Sequence, residues 1–180
     1  MIHAAAGERQ ADVKRQAIVR LLVATWAEAL PLFGFAPQVT GMGRRTYDLS
    51  GCDAVLSAGF AGACQPRFRP GDVLLAGNAP PELRERLGAL SGEIRTLDHI
   101  ATPAEKAALG GQGVAAVDME TAWLATAASA PFIGVRVIID CLADRALSAA
   151  TARHYLAACR GLRAAVAETL QFLSLRGGRG

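Results

Sequence analysis

Acidic side chains sit in this chain where apolar surroundings give them little reason to be. Asp118-Met119-Glu120 follows the apolar run at residues 114–117, and Asp140 closes another at 135–139. An ionised carboxylate in such a place is costly unless it is paired or put to use. A carboxylic acid at an apolar strand end can keep its proton above the ordinary range and donate it to a leaving group. Met119 and Glu120 suit a sugar: the thioether packs on a ribose face while the carboxylate accepts from two vicinal hydroxyls. Glu28, after the first apolar run, could orient a water or simply start a helix in solvent. Asp118 also has a plain structural use as a helix N-cap, with Glu120 favourable near the positive helix end. For Asp140 the plain reading is a cap or an ion pair with Arg136.

These acids need elements to position them. Strands are expected at residues 21–25, 53–57, 72–75, 114–117 and 131–139. The last is the longest and most β-branched, and is apolar on both faces apart from Arg136, as in a central strand. Short helical stretches are expected at 27–32, after Gly41-Met42-Gly43, and at 80–90. Thr102-Pro103-Ala104-Glu105 is a capping box with Pro at the first helical position, starting a helix that Gly110-Gly111 stops. Helices are further expected at 119–128 and 151–173. Gly59-Phe60-Ala61-Gly62 reads as a glycine turn after a strand, letting a backbone approach a ligand or merely turning tightly. It is not a P-loop, since no Gly-Lys-Ser/Thr follows.

The bulk numbers agree with one α/β domain at residues 17–175, with 1–16 as a leader of no assignable pattern and 176–180 as a tail. The 180 residues fit one core, and 52% hydrophobic against 19% charged excludes a disordered class. The net charge of +3 is small and its arginines are scattered, so nucleic acid is not an expected partner. Residues 21–33 resemble a signal-peptide core but contain Glu28, lack a cleavage site and are too short to span a membrane. Cys52, Cys64, Cys141 and Cys159 show no metal spacing and read as four buried thiols in a reducing cytoplasm. His3, His99 and His154 form no visible constellation.

Taken in order, the pieces resemble the nucleoside phosphorylase and nucleosidase superfamily, which includes purine nucleoside phosphorylases and methylthioadenosine/adenosylhomocysteine nucleosidases. The resemblance rests on residues 21–28, Gly41-Met42-Gly43, Ser57-Ala58-Gly59-Phe60-Ala61-Gly62 with Pro70-Gly71-Asp72-Val73, Val117-Asp118-Met119-Glu120, and Val135-Arg136-Val137-Ile138-Ile139-Asp140. Asp118, where most relatives carry Glu, and Asp144-Arg145-Ala146-Leu147 look most like the hopanoid-associated phosphorylase branch, whose members are thought to cleave adenine from adenosylhopane. The resemblance implies a three-layer αβα fold around a mixed, mostly parallel sheet, and cleavage of a purine nucleoside's N-glycosidic bond, with the logic of glycoside hydrolysis. It assigns Met119 and Glu120 to the ribose, Glu120 on the 2′ and 3′ hydroxyls, and Asp140 to purine N7. Glu28 would position the attacking water. Gly59, Phe60, Ala61 and Gly62 would flank the nucleophile, and Asp118 and Gly43 complete the substrate-binding set. It implies no cofactor and no metal, phosphate as the one possible co-substrate, a small nucleoside as partner with contact to a lipid-linked substrate, and a homodimer.

Departures from the superfamily pattern shape these expectations. Where its phosphorylases hold phosphate with an Arg and a Ser or Thr, this chain has Ser57 and Phe60. Phe60 offers no donor to a dianion, which favours water as nucleophile. Ile139 replaces the serine that usually precedes the strand-end acid. The chain is short at 33–41 and 77–102, where relatives build strands and base-binding loops. An alternative expectation is therefore a nucleoside-binding or assembly protein of the same fold without turnover. A dinucleotide-binding Rossmann enzyme is disfavoured, because G-x-G-x-x-G is absent.

Overall fold

The computed structural model describes residues 17–144, 146 and 148–177, so the expected leader and the end of the expected tail lie outside the described residues. Seven strands form one mixed sheet. β1 (Val19–Val23) runs parallel to both β2 (Gln38–Val39) and β3 (Ala54–Ala63). β3 runs parallel to β7 (Phe132–Asp140), and β5 (Glu93–Thr96) to β6 (Val114–Asp118). The antiparallel contacts are β3 with β6 and β4 (Val73–Gly77) with β7. Helices flank the sheet: α1 (Trp26–Ala29), α2 (Pro81–Arg86), α3 (Pro103–Gly111), α4 (Thr121–Ala127) and α5 (Ala149–Gly177). The fold class is the expected one, a mostly parallel α/β sheet between helices.

β3 and β7 are buried along almost their whole length, which is why they read as continuous runs of small and β-branched residues. α5 lays Ala158, Leu162, Ala165 and Val166 into the same cluster as Leu56, Val135 and Val137, a helical spacing against a sheet face. This core fixes the strand ends where the acids stand.

Several local expectations are corrected. The glycine stretch at residues 59–62 is not a turn: β3 continues through it, paired to β7 as Gly59↔Arg136, Phe60↔Val137 and Ala61↔Ile138, with an irregularity before Gly62. Glycines inside a strand mark a close approach. α3 takes in Gly110 and ends at Gly111, two residues beyond its expected last residue. A Cβ on Gly110 would strike the Cys64 carbonyl oxygen, so glycine is what lets this helix lie directly on the end of β3. Gly41-Met42-Gly43 makes bends and opens no helix, with φ of +84° at Gly41 and +77° at Gly43. The stretches read as short, 33–41 and 77–102, hold the brief strands β2 and β5. α5 takes in Arg176 and Gly177, expected in the tail. Of the four free cysteines, Cys64 is buried and the others are partly exposed.

One detail of register creates the site. β1 accompanies β3 only as far as Ser57, and β6 takes up the same strand at Gly62. Between those points β3 has no partner strand on that side, and its backbone there faces a gap.

Candidate active site

The gap is a cavity of about 150 Å³ where the ends of β1, β3, β6 and β7 meet. Crevices at strand ends are where open α/β sheets hold ligands. Glu28, Asp118, Met119, Glu120 and Asp140 all line it, together with Phe60, Ala61 and Gly62. Gly43 and Gly59 stand one step back. Gly43 donates its N–H to Glu120 Oε1 at 3.4 Å. Gly59 leaves room for a carboxylate: a Cβ there would lie 2.6 Å from Glu28 Oε1.

Glu28 is buried, not the exposed helix-start acid of its plainer reading. Thr25-Trp26-Ala27-Glu28 is a second capping box, in which Thr25 N–H donates to Glu28 Oε2 at 2.8 Å and the Thr25 hydroxyl at 3.1 Å. The other oxygen accepts from Phe60 N–H at 2.8 Å, the unpaired edge of β3. A carboxylate has about four lone-pair sites. Three are filled, leaving about one for a water.

Asp118 and Arg136 form the buried centre of the wall. Arg136 is 1% exposed and donates Nε–H to Asp118 Oδ2 at 2.6 Å, with further bonds to the Ser57 carbonyl at 3.1 Å and hydroxyl at 2.9 Å. Asp118 also accepts from Thr96 Oγ1 at 2.7 Å and from the N–H and hydroxyl of Thr121. Burial works to raise the Asp118 carboxyl, but Arg136 and these hydroxyls hold it below the ordinary value. Asp118 is thus a fixed anion that neutralises Arg136, and the helix-start contact expected of it is made through Thr121.

Glu120 is as buried but poorly satisfied. Burial pushes its carboxyl up to about 7; Arg136 opposes this, while Glu28 and Asp118 add to it. One long backbone contact leaves most of its lone pairs facing the cavity. Asp140 does not pair with Arg136, the plain alternative read from sequence. Its partner is Lys106 of α3, at 1% exposure the other deeply buried cation here. Burial raises the Asp140 carboxyl and Lys106 works against that rise. A Cβ on Gly62 would come within 3.0 Å of Asp140 Oδ1, so this glycine also gives a carboxylate room.

Two features escape sequence reasoning. Lys106 carries no signal by type, but it lies four residues before Gly110, on the face of α3 turned to the sheet. His99 lines the mouth of the cavity, with both ring nitrogens at 2.8 Å from carboxylates, Asp98 and Glu105. Just behind Asp140, Cys141, Asp144 and His154 bring thiol, carboxylate and imidazole atoms within 4.8 Å of one another.

No sequence-family model matches the chain, and no curated protein matches it in sequence. Solved structures do match. The 5′-methylthioadenosine nucleosidase of Arabidopsis thaliana superposes with a TM-score of 0.73 at 16% identity, over 92% of this chain and 98% of that one. This is the nucleosidase fold. The methylthioadenosine/adenosylhomocysteine nucleosidase of Campylobacter jejuni gives 0.68 at 16% identity, over 88% of this chain and 99% of that one. The futalosine hydrolase of Helicobacter pylori gives 0.64 at 14%, over 86% and 97%. At such identities the likeness speaks for the fold, and the chemistry must be argued from the cavity.

Proposed function

We propose that this protein hydrolyses the N-glycosidic bond of a purine nucleoside. One observation carries the reading: Glu28, Met119-Glu120 and Asp140 come from three different strand ends to one cavity. In this reading Met119 packs on the ribose and Glu120 accepts from its 2′ and 3′ hydroxyls. Asp140 donates to purine N7 as the C1′–N9 bond breaks, and the bond electrons leave with the base. Glu28 holds the water that attacks C1′ through its remaining lone pair. The developing oxocarbenium charge is then flanked by carboxylates, as in glycoside cleavage generally.

Water is favoured over phosphate on charge. Among the described residues, the basic side chains lining the cavity are Lys106 and His99, and both are already committed to carboxylates. Arg136 behind the wall is spent on Asp118 and Ser57. Among the described residues, a phosphate dianion would meet several acids in the cavity wall and no free cationic donor. The test is product analysis with and without phosphate: a free sugar and an unchanged rate are expected, and a sugar 1-phosphate would overturn hydrolysis.

The substrate proposed is an adenosine with a bulky apolar 5′ substituent such as adenosylhopane, supported by Met42 and Ile100, which line the cavity while 51% and 48% exposed. The proposal extends to a homodimer. Trp26, Leu30 and Phe33, along α1 and the turn after it, are 78%, 71% and 84% exposed, an apolar surface that water disfavours. Sedimentation equilibrium is expected to give twice the mass of the chain, and Phe33→Asp to give the monomer.

A further inference from the structure

Lys106 is a buried cation for which the proposed chemistry has no use. Its ammonium donates to Asp140 Oδ2, to the Cys141 carbonyl at 2.7 Å and to the Asp144 carbonyl at 2.8 Å. An ammonium has three donors and no acceptor. None is left for a ligand, so Lys106 can act on bound nucleoside only through Asp140. Its place is set by packing as well: Gly110, four residues on, brings α3 against the Cys64 carbonyl, and that approach drives Lys106 into the wall. Resting on the nucleosidase reading above, we propose that Lys106 is the positioning residue of Asp140. It holds Oδ2 so that Oδ1 is left for the base, and ties the chain after β7 to the acid.

Lys106 faces Asp140 from α3, the Asp144 carboxylate and Cys141 thiol from the segment after β7, and the Cys64 thiol from the end of β3. Of these only Lys106 is a cation. Burial and Asp144 raise the Asp140 carboxyl, and Lys106 opposes them. Removing the ammonium therefore moves the proton loss of Asp140 to higher pH. Lys106 itself gives up no proton. Asp140 hands one to N7 of the departing base, and the attacking water releases one through Glu28, so the turnover balances with Lys106 an ammonium throughout.

The test uses the full chain and adenine release from 5′-methylthioadenosine, followed as kcat and KM against pH. Lys106→Met is expected to move the high-pH limb of kcat upward by about one pH unit and to lower the plateau about tenfold, with KM changing less than about threefold. Lys106→Arg restores the limb to near its wild-type position. In an Asp140→Asn background, Lys106→Met causes no further loss, because the residue acts through the acid already removed. An unmoved limb, or losses that multiply in the double variant, overturns the proposal and leaves Lys106 as packing. Should Lys106→Met alone fail to fold, the double variant, which buries no unpaired charge, compared with Asp140→Asn decides by the same criterion. A wild type that releases no base from any nucleoside overturns the nucleosidase reading and this proposal with it; turnover with an unmoved limb overturns the role of Lys106 alone.

Discussion

Glu120 is held at the cavity wall at the expense of the fold. Its carboxyl is raised from 4.5 to about 7 by burial, so the folded protein holds a proton there that the unfolded chain has released. The stability this contributes is complete below the unfolded value and is lost as pH rises through about 7. A rise of that size corresponds to about 3 kcal/mol at full effect. Glu120→Gln keeps the shape and removes the charge. At pH 8 that variant is expected to be about 1–3 kcal/mol more stable than wild type in urea unfolding, with the difference gone below about pH 4. Its nucleoside binding is expected to be lost in the same samples. Greater wild-type stability at pH 8 would contradict the assigned environment. At this scale the sequence is informative by type: acids at strand ends in an apolar chain point to the cavity. Their partners are not legible. Nothing in the order of residues says that Arg136 reaches Asp118 or that Lys106 reaches Asp140, since those pairings depend on how α3 and β6 dock on β7.

Among the elements, β3 does most to shape the site, because it loses β1 as a neighbour after Ser57 and gains β6 only at Gly62. Its glycines are visible in the sequence and signal a close approach, but they read there as a turn. A strand and a turn can share small residues, and only the pairing with β7 separates them. β2 and β5 escape a sequence reading because strands of two and four residues carry too little periodicity. The Thr25–Glu28 capping box is legible by the same pattern that locates α3, yet its acid turns inward as well as back to its own cap. The link between β6 and β7 is the ion pair of Asp118 with Arg136. Asp118→Ala leaves the guanidinium buried and unpaired, and is expected to cost about 3–5 kcal/mol of unfolding free energy by urea titration. A loss under about 1 kcal/mol would show that the pair does not hold the wall together.

For the whole molecule, the sheet's mixed topology turns four strand ends towards one crevice while α5 seals the far side of β7 with apolar contacts. The layered architecture is legible in the sequence, since the central strand is its longest β-branched apolar run and the closing helix carries apolar residues at helical spacing. Among the described residues no helix is long and apolar enough to cross a membrane. The central claim is that an acid on β7 and a carboxylate after β6 grip the two ends of one nucleoside. Adenine release from a 5′-substituted adenosine, measured by chromatography for wild type and Asp140→Asn side by side, tests it most directly. Wild type is expected to release the base, and the variant to be slower by about 10²–10⁴-fold, the usual worth of a general acid, with nucleoside binding retained. Equal rates for the two proteins, or a wild type that neither binds nor cleaves any adenosine derivative, would contradict it.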